Sequence, residues 1–273
     1  MPGQATEEAL KAVSQCDLVY VETYTMPNTS WLLDSVARVT KGRVTPASRE
    51  DLEAGSSEIV KLASKSSVAV VTAGDPLAAT THSSLYAEAA RAGVRVYYIP
   101  GVSGVYTARS ASMLSFYRFG GTVTVPGRWR GVKPLSVVHR IYLNLCSGLH
   151  TTVLLDVDES GEQLGLGEAA SILLEADEEY SNTLGSRPLL RELPLIVVEA
   201  GGMGSHKVLY YPRLDEARTH RDKGVYTGII PSRPSRVEDW LASSILGRFE
   251  YSFEAYSRID EGCKKGLYLR AEV

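Results

Sequence analysis

The sequence predicts an α/β protein in two domains, a first at 1–125 built on a parallel sheet with flanking helices and a second at 126–273 built on a mixed sheet. Three observations carry this. Helical and strand-like segments alternate through the first domain at the lengths of βα units. The run Val68-Ala69-Val70-Val71-Thr72 is β-branched and uncharged, as in a strand covered on both faces. Beyond about residue 150 the strands outnumber the helices, which points to mixed or antiparallel pairing.

The elements follow in order. Ala9, Leu10, Ala12 and Val13 recur at helical spacing between Thr6 and Cys16, and residues 17–22 (DLVYVE) then read as a strand. A loop at Pro27 and Asn28 precedes a helix from about Ser30 to Gly42, and 43–47 is a second strand. Ser48 with Asp51 has the form of a capping box and opens a helix running toward Lys65. The strand at 68–72 ends in Gly74-Asp75-Pro76, and Ser84 to Ala92 is a helix stopped by Gly93. Residues 94–99 (VRVYYI) are a further strand, running into Pro100-Gly101-Val102-Ser103-Gly104 and a helix at 105–114. After a strand at 122–126, the turn formers and positive charge of 127–134 mark the domain boundary. The second domain reads as a helix at 135–148, a strand at 151–157, a helix at about 167–180, strands at 193–200, 207–211 and 224–231, and a helix near 237–245.

Composition excludes several classes. With 44% hydrophobic and 22% charged residues the chain is globular, and a net charge of −3 predicts no direct nucleic-acid binding through phosphate neutralisation. No apolar run of 18 residues and no signal-peptide pattern is present, so the expectation is a cytoplasmic protein with no membrane contact. Cys16, Cys146 and Cys263 are odd in number and far apart, which predicts free thiols. The five histidines show no i, i+4 pair, and no zinc site is expected.

Open α/β sheets bind ligands at the carboxyl ends of their strands, where Gly74-Asp75-Pro76 falls. Gly74 admits close backbone approach, Pro76 fixes the turn and Asp75 sets one carboxylate at the mouth. The same three residues also suit an ordinary surface turn in which Asp75 bonds its own backbone. Ser103 stands at the next strand end before a helix, where the helix N–H groups can receive a polar ligand group or a plain N-cap can sit. Gly201-Gly-Met-Gly204 lacks the Lys-Ser/Thr of a phosphate loop, and Ser103 lacks the Gly-x-Ser-x-Gly context of a hydrolase nucleophile. Asp156 and Asp158 share a face, as a metal pair would, only if their strand continues past Val157. Arg128-Trp129-Arg130 reads as a solvated linker, with an acidic partner surface as the other reading. His82 is the one titratable candidate near the turn and more often a structural residue.

Taken together, Gly74-Asp75-Pro76 and IPGVSG at 99–104 resemble the tetrapyrrole methylase superfamily of S-adenosylmethionine-dependent enzymes. At that level, methylases of corrin or porphyrin precursors fit equally well, and a non-catalytic S-adenosylmethionine-binding protein is a third possibility. GDPLAATTHSSL (74–85), FYRFGGTVTVP (116–126) and GLHTTVLLDV (148–157) narrow the resemblance to the archaeal diphthine synthase family, over about residues 6–231. The resemblance implies two α/β domains with the cofactor cleft between them, in a homodimer. It implies N-methylation of the 3-amino-3-carboxypropyl arm on a histidine of translation elongation factor 2, with S-adenosyl-L-homocysteine as the second product. By the same resemblance the cofactor contacts are Asp75, Ala78, Ser103, Gly104, Leu155, Gly201 and Tyr226, with no catalytic side chain and no metal. Tyr226 stands where the family often has His and Gly104 where it has a larger aliphatic residue, contacts that backbone atoms can make. The family's opening strand, which ends in a Gly-x-Gly-type loop, has no counterpart at Met1-Pro2-Gly3, so the expected first sheet lacks one strand.

Overall fold

The computed structural model of the chain describes residues 3–26, 29–199 and 206–269. They form two compact units. The first runs to Gly104 and includes Val157–Glu162, and the second holds the rest.

In the first unit, α1 (Glu7–Ser14), β1 (Leu18–Glu22), α2 (Ser30–Val39), β2 (Arg43–Ala47), α3 (Arg49–Leu52), α4 (Ser56–Ala63), β3 (Val68–Val71) and α5 (Ser83–Arg91) follow in order. The three strands are parallel in the order β2-β1-β3, with Leu18 opposite both Arg43 and Val68. Period-two alternation sorts the side chains. Val19, Val21, Ala69 and Val71 face Leu32 and Val36 of α2, whereas Tyr20, Val68 and Val70 face Ile59, Val60, Leu85 and Ala89 of α4 and α5. Helices therefore cover both faces, as the uncharged strand composition requires.

Two expectations fail here for local reasons. The helix predicted from Ser48 to Lys65 is broken, because the Gly55 N–H turns back to the Glu50 carbonyl and α4 starts afresh at Ser56. The Ser48–Asp51 capping box itself is formed. Residues 94–97 keep strand-like alternation, with Val94 and Val96 against the core and Tyr97 exposed, yet 94–99 is not a strand. Strand structure needs a neighbour to complete the ladder, and no described residue pairs with this segment.

The second unit contains α6 (Gly104–Ala111, starting on the last residue of the first), β4 (Val123–Val125), α7 (Leu135–Cys146), β5 (Thr151–Leu155), α8 (Leu166–Thr183), β6 (Leu195–Glu199), β7 (Lys207–Tyr211), β8 (Tyr226–Ile230), α9 (Arg236–Leu246) and α10 (Phe253–Lys264). Its sheet has the order β4-β5-β8-β6-β7, parallel only between β4 and β5. Leu195 and Val197 face α7, α8 and α10, and Ile196 and Val198 face α6 and α9. Residues 105–125, assigned from the sequence to the end of the first domain, pack with this unit through Ala108, Ala111 and Leu114. No helix among the described residues is long and apolar enough to cross a membrane.

A buried ion cluster ties the start of β5 to α9. Glu238 accepts from the Arg118 guanidinium, from His150 Nε2 at 2.9 Å and from the backbone N–H of Ser115 and Ser235. Burial pushes the Glu238 carboxyl up, but these donors outweigh it and hold it well below the usual carboxylate range. Burial lowers His150, whose Nδ1 accepts the Ser232 N–H, so the imidazole is neutral with its proton on Nε2.

Cys146 and Cys263 are joined in a disulfide between the end of α7 and α10, which overturns the expectation of free thiols; Cys16 alone is free. The pairing has no signal in the spacing, since the two lie 117 positions apart and only tertiary packing brings their Cα atoms to 5.4 Å. The sequence reading also missed α10, although Ser252 caps it and Ala255, Tyr256 and Ile259 mark its buried face.

Closing so long a loop restricts the unfolded chain, so replacing Cys146 and Cys263 by Ser is expected to lower stability by about 2–4 kcal/mol, read from urea unfolding under oxidising conditions. An unchanged midpoint contradicts it. Asp177 supplies a pH-dependent contribution: burial raises its carboxyl to about 6, against donation from Tyr142 Oη and the Leu190 N–H. Between about pH 4 and pH 6 the folded state holds a proton the unfolded chain releases, so this group's contribution falls as pH rises through that window. The expected loss is about 2–3 kcal/mol, and Asp177→Asn should flatten that slope in unfolding measured from pH 4 to pH 7.

Candidate functional site

In the first unit the site is built at the carboxyl end of β3. Gly74 adopts a φ of +104°, and the Asp75 carboxylate then joins two loops. Its Oδ1 accepts the Leu77 N–H at 2.9 Å, and its Oδ2 accepts Tyr98 Oη at 2.6 Å and the Gly101 N–H at 3.2 Å. Burial raises the carboxyl, but the Tyr98 hydroxyl and the N–H groups of Leu77, Gly101 and Ala78 together hold it below the usual range. Gly101 is required by contact: a Cβ there would stand 2.1 Å from the Gly74 carbonyl oxygen. Asp75 thus bonds its own turn, as the plain turn reading expects, and also fastens that turn to the loop leading to Ser103.

The neighbours are tightly constrained. Ala79 sits at a φ of +59°, a left-handed conformation unusual for a residue with a Cβ, one position after Ala78. Thr72 Oγ1 is buried without a hydrogen-bond partner just ahead of the turn. Ser103 is buried and immediately precedes α6, and a Cβ on Gly104 would meet nothing within 4 Å. His82 is a structural residue: its Nδ1 donates to the Pro76 carbonyl at 3.2 Å and its Nε2 accepts Tyr24 Oη at 3.2 Å.

In the second unit, Leu155 ends β5 and Tyr226 begins β8, both buried, just past the last β5–β8 pair, Leu154 with Thr227. The Tyr226 ring packs edge-on against His220, and its Oη lies 3.0 Å from His220 Nε2. Its backbone is bonded by a residue the sequence reading did not single out, Gln163. Gly201 lies outside the described residues. Asp75, Ala78, Ser103 and Gly104 therefore belong to the first unit and Leu155 and Tyr226 to the second.

The carboxylates considered for metal binding have other work. Asp156 takes a bidentate pair from Arg130 (2.8 and 3.1 Å) and the Gly127 N–H, while Asp158 Oδ1 accepts from Ser160 and Glu162 to form a turn. Arg128 pairs with Glu168 and Glu175, so the basic linker is neutralised within the chain. No cluster of three potential metal ligands occurs among the described residues. Tyr98 was also missed as a site residue; alternation places it opposite Tyr97, but its bond to Asp75 spans 23 positions.

The model for Tetrapyrrole (Corrin/Porphyrin) Methylases matches residues 1–209, and the chain belongs to that family. Within it, the chain is 58% identical to a diphthine synthase of Aeropyrum pernix over 98% of its own length and 93% of the relative's. A diphthine synthase of Pyrobaculum aerophilum is 36% identical over 90% of this chain and 94% of the relative. Among solved structures, a conserved hypothetical protein from Aeropyrum pernix K1 superposes with a TM-score of 0.96 at 57% identity, covering 99% and 96% of the two chains. A crystal structure of diphthine synthase superposes with a TM-score of 0.78 at 25% identity, covering 94% of each.

Removing the carboxylate with Asp75→Ala is expected to weaken cofactor binding while leaving the far-ultraviolet circular dichroism unchanged, because the two loops lose their shared acceptor. Tyr98→Phe removes one of those bonds and should cost about 1.5 kcal/mol in urea unfolding. Unchanged cofactor affinity in Asp75→Ala would leave Asp75 as a turn former only.

Proposed function

We propose that this chain is a diphthine synthase: it transfers a methyl group from S-adenosylmethionine to the amino group of the 3-amino-3-carboxypropyl-histidine of translation elongation factor 2, acting as a cytoplasmic homodimer. The near-full-length likeness to diphthine synthases carries this reading.

The residues present suit the cofactor. Thr72 Oγ1 is a buried hydroxyl lacking a partner beside the Gly74-Asp75-Pro76 turn, a group that a polar ligand atom would satisfy. The start of α6 adds backbone N–H groups that the helix itself leaves unbonded. Leu155 brings an apolar side chain and Tyr226 a fixed strand end. When bound, S-adenosylmethionine supplies an electrophilic methyl group.

Displacement by an amine needs alignment and an unprotonated nucleophile rather than a metal or a covalent enzyme intermediate. Asp75, whose carboxylate already accepts from the Leu77 N–H, Tyr98 Oη and the Gly101 N–H, acts by holding loop geometry. Ser103 and Gly104 set the position of the α6 N-terminus. His82 is bonded at both ring nitrogens and stands outside the proton transfer.

Incubation with methyl-labelled S-adenosylmethionine and elongation factor 2 carrying the unmethylated arm is expected to label the factor. Label in a corrin or porphyrin precursor instead, with none in the factor, overturns the substrate. Failure to bind S-adenosylmethionine in titration calorimetry overturns the methyltransferase reading itself.

A further inference from the structure

Antiparallel pairing between β5 and β8 stops at Leu154 and Thr227, and beyond this point the strand ends part. Backbone groups at such a place need another partner or water. At Tyr226 the partner is a side chain: Gln163 Oε1 accepts the Tyr226 N–H at 2.7 Å, and Gln163 Nε2 donates to the Tyr226 carbonyl at 3.2 Å. One primary amide thereby replaces a full rung of the ladder.

Gln163 is itself held on both sides. The Asp158 N–H donates to the Glu162 carbonyl at 2.9 Å, and the Leu164 N–H donates to the Asp156 carbonyl at 2.8 Å, so the chain leaving β5 returns alongside the strand end. Asp158 shapes the intervening turn through Ser160 and Glu162. Gln163 is therefore delivered to Tyr226 by a short hydrogen-bonded turn rather than by an open loop.

We infer that Gln163 is a positioning residue for the cofactor, holding the Tyr226 end of β8 beside Leu155 and determining which polar group of that strand end a ligand can use. The inference rests on the cofactor assignment proposed above. With the Tyr226 N–H spent on Gln163, only the carbonyl, which has two lone pairs, retains capacity for another bond. A ligand reading this strand end then meets an acceptor and must bring a donor, such as an amino group on a heterocycle.

Two variants of the full chain test this against S-adenosylmethionine in titration calorimetry and steady-state methyl transfer. Gln163→Ala removes the side chain, and Gln163→Met keeps its length without either hydrogen bond. Both are expected to raise the dissociation constant and the KM for S-adenosylmethionine roughly tenfold, with kcat at saturating cofactor within about twofold. A Gln163→Met variant that binds like the wild type would reduce Gln163 to packing and overturn the inference. Equal loss of kcat and thermal stability without a change in KM would also overturn it, as a merely structural role. A wild-type chain that does not bind S-adenosylmethionine sinks the proposed function, whereas wild-type binding with unchanged affinity in both variants sinks this inference alone.

Discussion

The loops after β3 in the first unit depend on one carboxylate, which accepts from Leu77, Tyr98 and Gly101. Asp75 holds the turn after β3 to the loop at 98–101, and the backbones meet so closely that Gly101 has no room for a side chain. Ser103 follows directly on that loop, and Ala79 adopts its left-handed backbone within the turn itself. Hydrogen bonds to a charged acceptor are worth about 1.5–3 kcal/mol each when shielded, and Asp75 is only half-buried, so the lower end applies. That is enough to order two short loops, and ordering is what a displacement reaction asks of its protein.

The mixed sheet of the second unit has two ends of opposite character. At the His150 end, Glu238, Arg118, Ser115 and Ser232 form a closed polar cluster in which each buried group is satisfied. At the other end, Leu155 and Tyr226 lie past the last β5–β8 pair, and the Gln163 amide bonds the Tyr226 backbone there. A buried charge is tolerated only where its partners are complete, and the Glu238 cluster meets that condition.

Across both units the chemistry is one of placement. Asp75, Asp156, Asp158 and Glu238 each already hold protein donors. Residues so engaged orient their neighbours instead of exchanging protons. This agrees with a methyl transfer in which the reactive group is brought by the cofactor and the nucleophile by the substrate.

Periodicity and turn chemistry alone determined the α/β class, the parallel first sheet, the mixed second sheet and the turn at Gly74-Asp75-Pro76, because these depend on local preference and on the pleat. Motif resemblance then reached the family, since short strings such as GDPLAATTHSSL carry it without any long-range information. Tertiary structure decided the rest. Residues 94–99 have strand composition but no ladder, as pairing belongs to the neighbour and not to the segment. The Cys146–Cys263 bond, the Tyr98–Asp75 bond and the Gln163–Tyr226 rung join positions 117, 23 and 63 apart. At those separations spacing holds no information, and only the packing that brings the chains together determines which groups meet.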